Sequence, residues 1–346
     1  MNSPEILPTL VIGAGVLGAA MAHTLTQSGH SVIVLEAEKR AGEGISSRNS
    51  GVIHAGIYYP PKSLKAEWCQ RGNRLLYAFV QENAVPFSAC GKLIVANQEA
   101  EYNQLLWLKD NALPIPLGFT EWRPHGLQAR WALFSPSTGI VDPIALVQRL
   151  LETSQAEVLY NQEVSHLRVG PLGVELEIEG TRYCAQRVVN CAGLNAPLLA
   201  QKPPHFLAKG SYFQVTASEF QADGPLVYPA IPKHSPSLGI HLTRNTAGQW
   251  LLGPDIEWVE TENYGVDPAR QTDFFRAAVR YLPWLKMEQL QPAYAGIRPK
   301  RFRDQWADFL PVFEGEHQQL VHFLGYESPG LTSALAAAEM LADHWR

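Results

Sequence analysis

"TLVIGAGVLGAAMAHTLTQSGHSVIVLEAEK", residues 9–39, decides the fold. Thr9 to Ile12 is a short apolar run of strand type, and Gly13, Gly15 and Gly18 follow it as G-x-G-x-x-G. An alanine-rich helical segment comes next and ends near Gly29, a residue suited to the left-handed turn that closes a helix. Ser31 to Leu35 reads as a second buried strand, closed by Glu36. Gly13 permits the tight turn, Gly15 lets a pyrophosphate approach the backbone, and Gly18 lets the helix pack on the strand. The helix N-terminus presents roughly half a positive charge to the phosphates. Glu36, eighteen residues beyond Gly18, is placed to accept hydrogen bonds from ribose hydroxyls. A glycine triplet alone is weak, but strand, turn, helix, strand and acid in this order specify a dinucleotide site. The motif does not by itself separate FAD from NAD.

A chain of 346 residues holds two ordinary domains, or one large domain with an insertion. With 46% apolar and 18% charged residues it is globular in composition. A formal charge of -5 gives no general attraction for nucleic acid or an acidic membrane surface. Cys69, Cys90, Cys184 and Cys191 form no C-x-x-C pair and no zinc-type spacing, so no metal is expected. Cys191 lies in the apolar run "VVNCAG" and reads as a small buried hydrophobe. Ile6 to Ala22 is uncharged, yet it lacks the basic leading region of a signal peptide and carries the patterned glycines. No run reaches membrane-spanning length, and a soluble cytoplasmic protein is the expectation.

Beyond the first unit, "SLKAEWCQRGNRLLYAFVQEN" and "EYNQLLWLKDNA" have helical periodicity, and "GKLIVA" reads as a strand. Asp142 and Pro143 open another helix as N-cap and first-turn residue. "EVLYNQEVSHLRV", "GVELEIEG", "RVVNCAGLNA", "GSYFQVTAS", "LGIHLT" and "QWLLGP" are strand-like. "DPARQTDFFRAAVRYL" is a further helix. The chain closes on "FLGYESPGLTSALAAAEMLADHW", read as strand, loop and helix, with Ser328 as N-cap and Pro329 in the first turn.

Together these landmarks resemble the FAD-dependent oxidoreductases of the D-amino-acid oxidase superfamily over nearly the whole chain. The residues that carry the likeness are "GAGVLG", Glu36, "SSRNSG", "VVNCAG", "GIRP" and "SPGLTS". Within that superfamily the chain is most similar to the L-2-hydroxyglutarate dehydrogenase and oxidase group, through "RNSGVIHAGIYYPPKSLKA", "GKLIVA", "TGIVD", "LGIHLT", "LLGP" and "ESPGLTSALA". It departs from that group in being shorter. The resemblance implies an α/β (α+β overall) fold: a Rossmann-like FAD-binding domain of glutathione-reductase type with an interleaved antiparallel-sheet substrate domain. The expected boundaries are 1–85, 140–205 and 290–346 for the FAD-binding domain, and 86–139 and 206–289 for the substrate domain.

The implied reaction is oxidation of a 2-hydroxy acid to the 2-oxo acid, with hydride transfer to flavin N5. Beyond the glycines and Glu36, the expected cofactor contacts are Ser47, Arg48, Asn49, Ser50, Gly51, Val164, Cys191, Ala192, Gly193, Arg298, Gly330, Leu331 and Thr332. The helix after Ser328 would aim backbone N–H groups at the charge that reduction places near flavin N1 and C2=O. Arg298 is the substrate-carboxylate candidate, because a guanidinium offers a planar two-point match and the superfamily uses the arginine of this motif that way. Lys209, Arg244 and Lys300 are candidates for a second carboxylate, and Tyr58, Tyr59 and Tyr212 for the pocket wall.

An alcohol, unlike an amine, does not shed its proton into bulk water beforehand, so a positioned base is needed. Two histidines stand in the matching motifs, His241 in "LGIHLT" and His54 in "GVIHAG". His241 is the first choice, because relatives carry a lysine over the flavin at the similar position. His54 is the second, as base, flavin contact or covalent flavin attachment. The electron acceptor, whether oxygen, a quinone or a carrier protein, is left open. Competing readings are an amine oxidase of the same fold, resembling glycine or sarcosine oxidase, and a catalytically silent flavin-stabilised binding or assembly protein.

Overall fold

The computed structural model describes residues 6–112, 114–216, 220, 223–231 and 239–346. Ile6–Ile12 pairs in parallel with Val32–Glu36 on one side and with Thr181–Asn190 on the other. Glu157–Tyr160 extends the sheet beyond Val32–Glu36, and Leu320–Leu324 lies parallel to Thr181–Asn190. An antiparallel hairpin, Val164–Gly170 with Gly173–Ile178, and the strand Leu310–Glu314 complete eight strands. The run "EVLYNQEVSHLRV" is therefore two strands rather than one, broken where Asn161 takes a left-handed φ of 56°.

Helix Val16–Gln27 follows the glycine turn and is buried along nine of its twelve residues, as an alanine-rich helix between layers must be. Leu64–Glu82 is capped by Ser63, whose side chain accepts from Ala66 N, and Pro143–Ser154 by Asp142, which accepts from Ile144 and Ala145 N. These helices and Gly330–His344 close one apolar core with the sheet.

A second, largely antiparallel sheet of nine strands is built from Lys92–Ala96, Gly118–Phe119, Trp131–Ser135 and the strands between Phe206 and Lys300. Helix Gln271–Ala278 packs on it through Phe274 and Ala278. Leu290–Lys300 is hydrogen-bonded along Phe206–Val215 in this second sheet, not in the first. Gly296 faces Arg48 so closely that any Cβ there would overlap the Arg48 carbonyl oxygen, which locks the two layers backbone to backbone. Ala217, Ser218 and Leu238, parts of two expected strands, lie outside the described residues. Among the described residues no helix is long and apolar enough to cross a membrane.

Candidate active site

A cavity of about 600 Å³ begins at the carboxyl ends of Ile6–Ile12, Val32–Glu36 and Thr181–Asn190 and runs to the second sheet. At its first end Gly13 has φ +94°, and a Cβ there would sit 2.7 Å from Cys191 O. A Cβ on Gly18 would overlap Gly13 O, and one on Gly15 would come within 3.0 Å of Ser46 Oγ. Glu36 accepts from Ala14 N at 2.6 Å and Glu38 N at 2.9 Å, and it keeps oxygen lone pairs towards the cavity it lines. A bare turn, a helix N-terminus and an acid in this order fit the pyrophosphate and ribose of a dinucleotide.

Most of the expected cofactor contacts border this space. Gly13, Gly15, Glu36, Arg48, Asn49, Ser50, Val164, Cys191, Ala192, Gly193, Arg298, Gly330 and Leu331 all do so. Gly18, Ser47, Gly51 and Thr332 do not; Gly18 stands behind the turn. The Ser47 hydroxyl donates to Gly44 O, and the serine facing the cavity is its neighbour Ser46, whose Oγ accepts from Val16 N at 2.9 Å. Gly51 has φ +63° and would press a Cβ to 2.6 Å from Val141 O, so it shapes the loop from behind. Thr332 acts one layer back as well: its Oγ1 accepts from His54 N at 3.0 Å and donates to Val52 O. Helix Gly330–His344 starts one residue later than expected, with Pro329 at the N-cap and no side-chain cap, so Ser328 is not the cap. Gly330 N donates to Glu327 O, so the N–H groups left for a ligand are those just beyond it.

The second end holds the reactive candidates. His54, His241, Tyr58, Tyr59, Tyr212 and Arg298 all line it. The His54 backbone is fixed from both sides, its N by Thr332 and its O by Asn73 Nδ2 at 2.9 Å. Burial, aided by the Lys92 ammonium, lowers its imidazole to about 3, so the ring is neutral near pH 7. His241 is 3% exposed and stacks on Tyr228, with ring centroids 3.5 Å apart. Arg298 donates to Asp255 O at 2.7 Å and Ala208 O at 3.4 Å, which leaves the rest of its fork for a ligand. Gly210 makes room for it, since a Cβ there would stand 3.1 Å from Arg298 NH2. Tyr212 stacks on Tyr294 at 4.6 Å, and burial pushes its phenol up to about 12.

Two of the proposed second-carboxylate residues are used elsewhere. Lys209 is buried outside the cavity with its ammonium 3.6 Å from Glu257. Arg244 donates to Ser88 Oγ and Gly224 O and is not among the residues that line the cavity. Lys300 does reach the cavity, and it arrives with partners that sequence reading missed: Lys65 and Glu327. Lys92 was missed too. Its ammonium is fully buried between the rings of Tyr58 (4.6 Å) and Tyr228 (4.5 Å), has no hydrogen-bond partner among the described residues, and is lowered by burial to about 7. A lone lysine in the apolar strand "KLIVA" was the available signal.

Comparison with known proteins agrees with this geometry. The model of the FAD dependent oxidoreductase family (DAO) matches residues 9–344. The mitochondrial L-2-hydroxyglutarate dehydrogenase of Arabidopsis thaliana is 36% identical, over 98% of this chain and 83% of that protein. L-2-hydroxyglutarate dehydrogenase of Escherichia coli strain K12 is 29% identical, over 94% of this chain and 90% of its own length. Among solved structures, dithionite-reduced L-alpha-glycerophosphate oxidase from Mycoplasma pneumoniae with FAD bound superposes with a TM-score of 0.88 at 22% identity, covering 99% and 95% of the two chains, a likeness of fold. With nucleotide cradle, flavin loop and G-x-R-P strand converging on one cavity, the chain belongs to the FAD-dependent oxidoreductase family.

Proposed function

We propose that this enzyme oxidises L-2-hydroxyglutarate, or a closely related L-2-hydroxy acid, to the 2-oxo acid. What carries the reading is that an immobilised arginine and a neutral histidine line one cavity together with the nucleotide cradle. The name shared by the relatives supports the choice of substrate. Bound FAD supplies the hydride acceptor, and the residues of this chain supply everything else.

Arg298 holds the carboxylate next to the reacting carbon, its orientation set by two backbone carbonyls. His54 accepts the hydroxyl proton. It moves ahead of His241 because its backbone is pinned on both sides; burial and the Lys92 ammonium weaken its ring as a base, and the negative charge of a bound hydroxy acid offsets them. In the first turn of Gly330–His344 the N–H groups beyond Gly330, Leu331 first, stabilise negative charge on the ligand they face. Tyr58, Tyr59 and Tyr212 shape the wall and help to exclude water.

The chain divides into a nucleotide unit and a substrate unit with the boundaries expected from sequence, except that the last is better drawn at 301 than at 290, because Leu290–Lys300 pairs in the second sheet. Four unpaired thiols support a reducing, cytoplasmic setting.

Anaerobic mixing with L- and D-2-hydroxy acids and with amino acids tests the function. L-2-hydroxyglutarate should bleach the flavin; bleaching by amino acids alone would make the protein an amine oxidase. His54→Asn should slow reduction by about 10²–10⁴-fold with little change in ligand binding. If His241→Asn gives that result and His54→Asn does not, the base is His241.

A further inference from the structure

Lys65, Glu327 and Lys300 come from three distant parts of the chain and meet in the cavity wall. Both ammonium nitrogens lie 2.7 Å from one atom, Glu327 Oε1. The side chains of Lys65 and Glu327 are 4% and 6% exposed, while that of Lys300 is 23% exposed. One carboxylate does not neutralise two ammonium groups. With Arg298 two residues before Lys300, this patch of the wall (Lys65, Arg298, Lys300 and Glu327) carries three cations and one anion.

As a structural device this cluster is a poor one. A buried charge without a counter-charge is expensive, and an apolar wall of equal volume would be at least as stable. An excess of buried positive charge beside a ligand cavity is satisfied when the ligand brings the anion. Spacing agrees with that. Residues 298 and 300 leave one face of their strand with Cα atoms roughly 6.6 Å apart. The terminal carboxyl carbons of an extended five-carbon diacid are about 5 Å apart, from four bonds of about 1.5 Å at tetrahedral angles.

We propose that the Lys65–Glu327–Lys300 cluster seats the second carboxylate of the substrate and thereby selects five-carbon dicarboxylates over monocarboxylates. The proposal rests on the reading that Arg298 holds the first carboxylate. Glu327 fixes both ammonium groups at the wall and removes one of the two positive charges, so a single carboxylate completes the balance. Lys300, the most open of the three, makes the direct contact.

Binding of unreactive probes tests this without any turnover. The oxidised holoenzyme is titrated with glutarate and, separately, with pentanoate, following the flavin absorbance. Glutarate should bind at least tenfold more tightly; Lys300→Met should erase that preference while leaving pentanoate binding within about threefold, and Lys300→Arg should keep most of it. Equal binding of the two acids by the native enzyme overturns the proposal, and it needs no variant to fold. An unchanged preference in a flavin-loaded Lys300→Met overturns it as well. If 2-hydroxyglutarate fails to reduce the flavin but glutarate preference stands, the proposed reaction has failed and the carboxylate seat has not.

Discussion

Glu327 shows how much one side chain can be asked to carry. Burial would raise its carboxyl, but Lys65 and Lys300 outweigh burial and hold it at about 2, below an ordinary value of 4.5. A group with a depressed folded pKa stabilises the fold above its unfolded pKa and loses that contribution as pH falls through the folded value. The window is therefore pH 4.5 down to about 2. By pH 3 the loss is on the order of 2 kcal/mol. Denaturant melts from pH 6 to pH 3 should show a steeper loss of stability in the native protein than in Glu327→Gln; parallel curves would remove the ion cluster from the acid response. Burial lowers Lys300, with Lys65 and Arg298 adding to that and Glu327 opposing.

At the scale of elements, what was legible had a period or a motif. The opening strand–turn–helix–strand and the Asp142-capped helix stand where the sequence places them, whereas the G-x-R-P segment, expected with the FAD-binding domain, is a strand of the second sheet. Val52–Ile53, Phe87–Ser88 and Gly118–Phe119 escaped notice because two-residue strands have no periodicity to read. The cluster at Glu327 escaped for another reason. Lys65 lies on a helix that also carries exposed charges, and only tertiary packing distinguishes it from a solvated lysine. Ser46 and Ser47 are indistinguishable in sequence; the short 3-10 turn Gly44–Ser47 turns the first inward and the second outward. Gly296 belongs to this scale too, since it is where the second sheet meets the flavin loop. Gly296→Ala forces the two backbones apart and should destabilise the holoenzyme by about 1–3 kcal/mol. The check is a thermal melt with parallel measurement of FAD release, and a native-like Tm with retained FAD would show that the contact yields.

At the scale of the molecule, the two sheets are interleaved in the chain. The second sheet is made largely from residues 206–300, and the first is completed only afterwards by Leu320–Leu324 and Gly330–His344. The same late segment supplies Tyr326, Glu327, Ser328, Gly330 and Leu331 to the cavity. A chain ended after Arg303 should purify without FAD, even though its glycine turn and Glu36 are intact, as the flavin content of the isolated protein would show; FAD at native stoichiometry would mean that the first unit suffices.

The parallel slot beside Thr181–Asn190 has a further consequence for how this protein is born. Val188, Val189 and Asn190 receive their partners, Leu320, Val321 and His322, only after the whole second sheet has been translated. Until then the nascent chain presents an open apolar edge on the ribosome, the kind of edge that invites aggregation unless a chaperone covers it. Since the same late segment also lines the cofactor cavity, flavin is expected to load onto a finished polypeptide rather than a growing one.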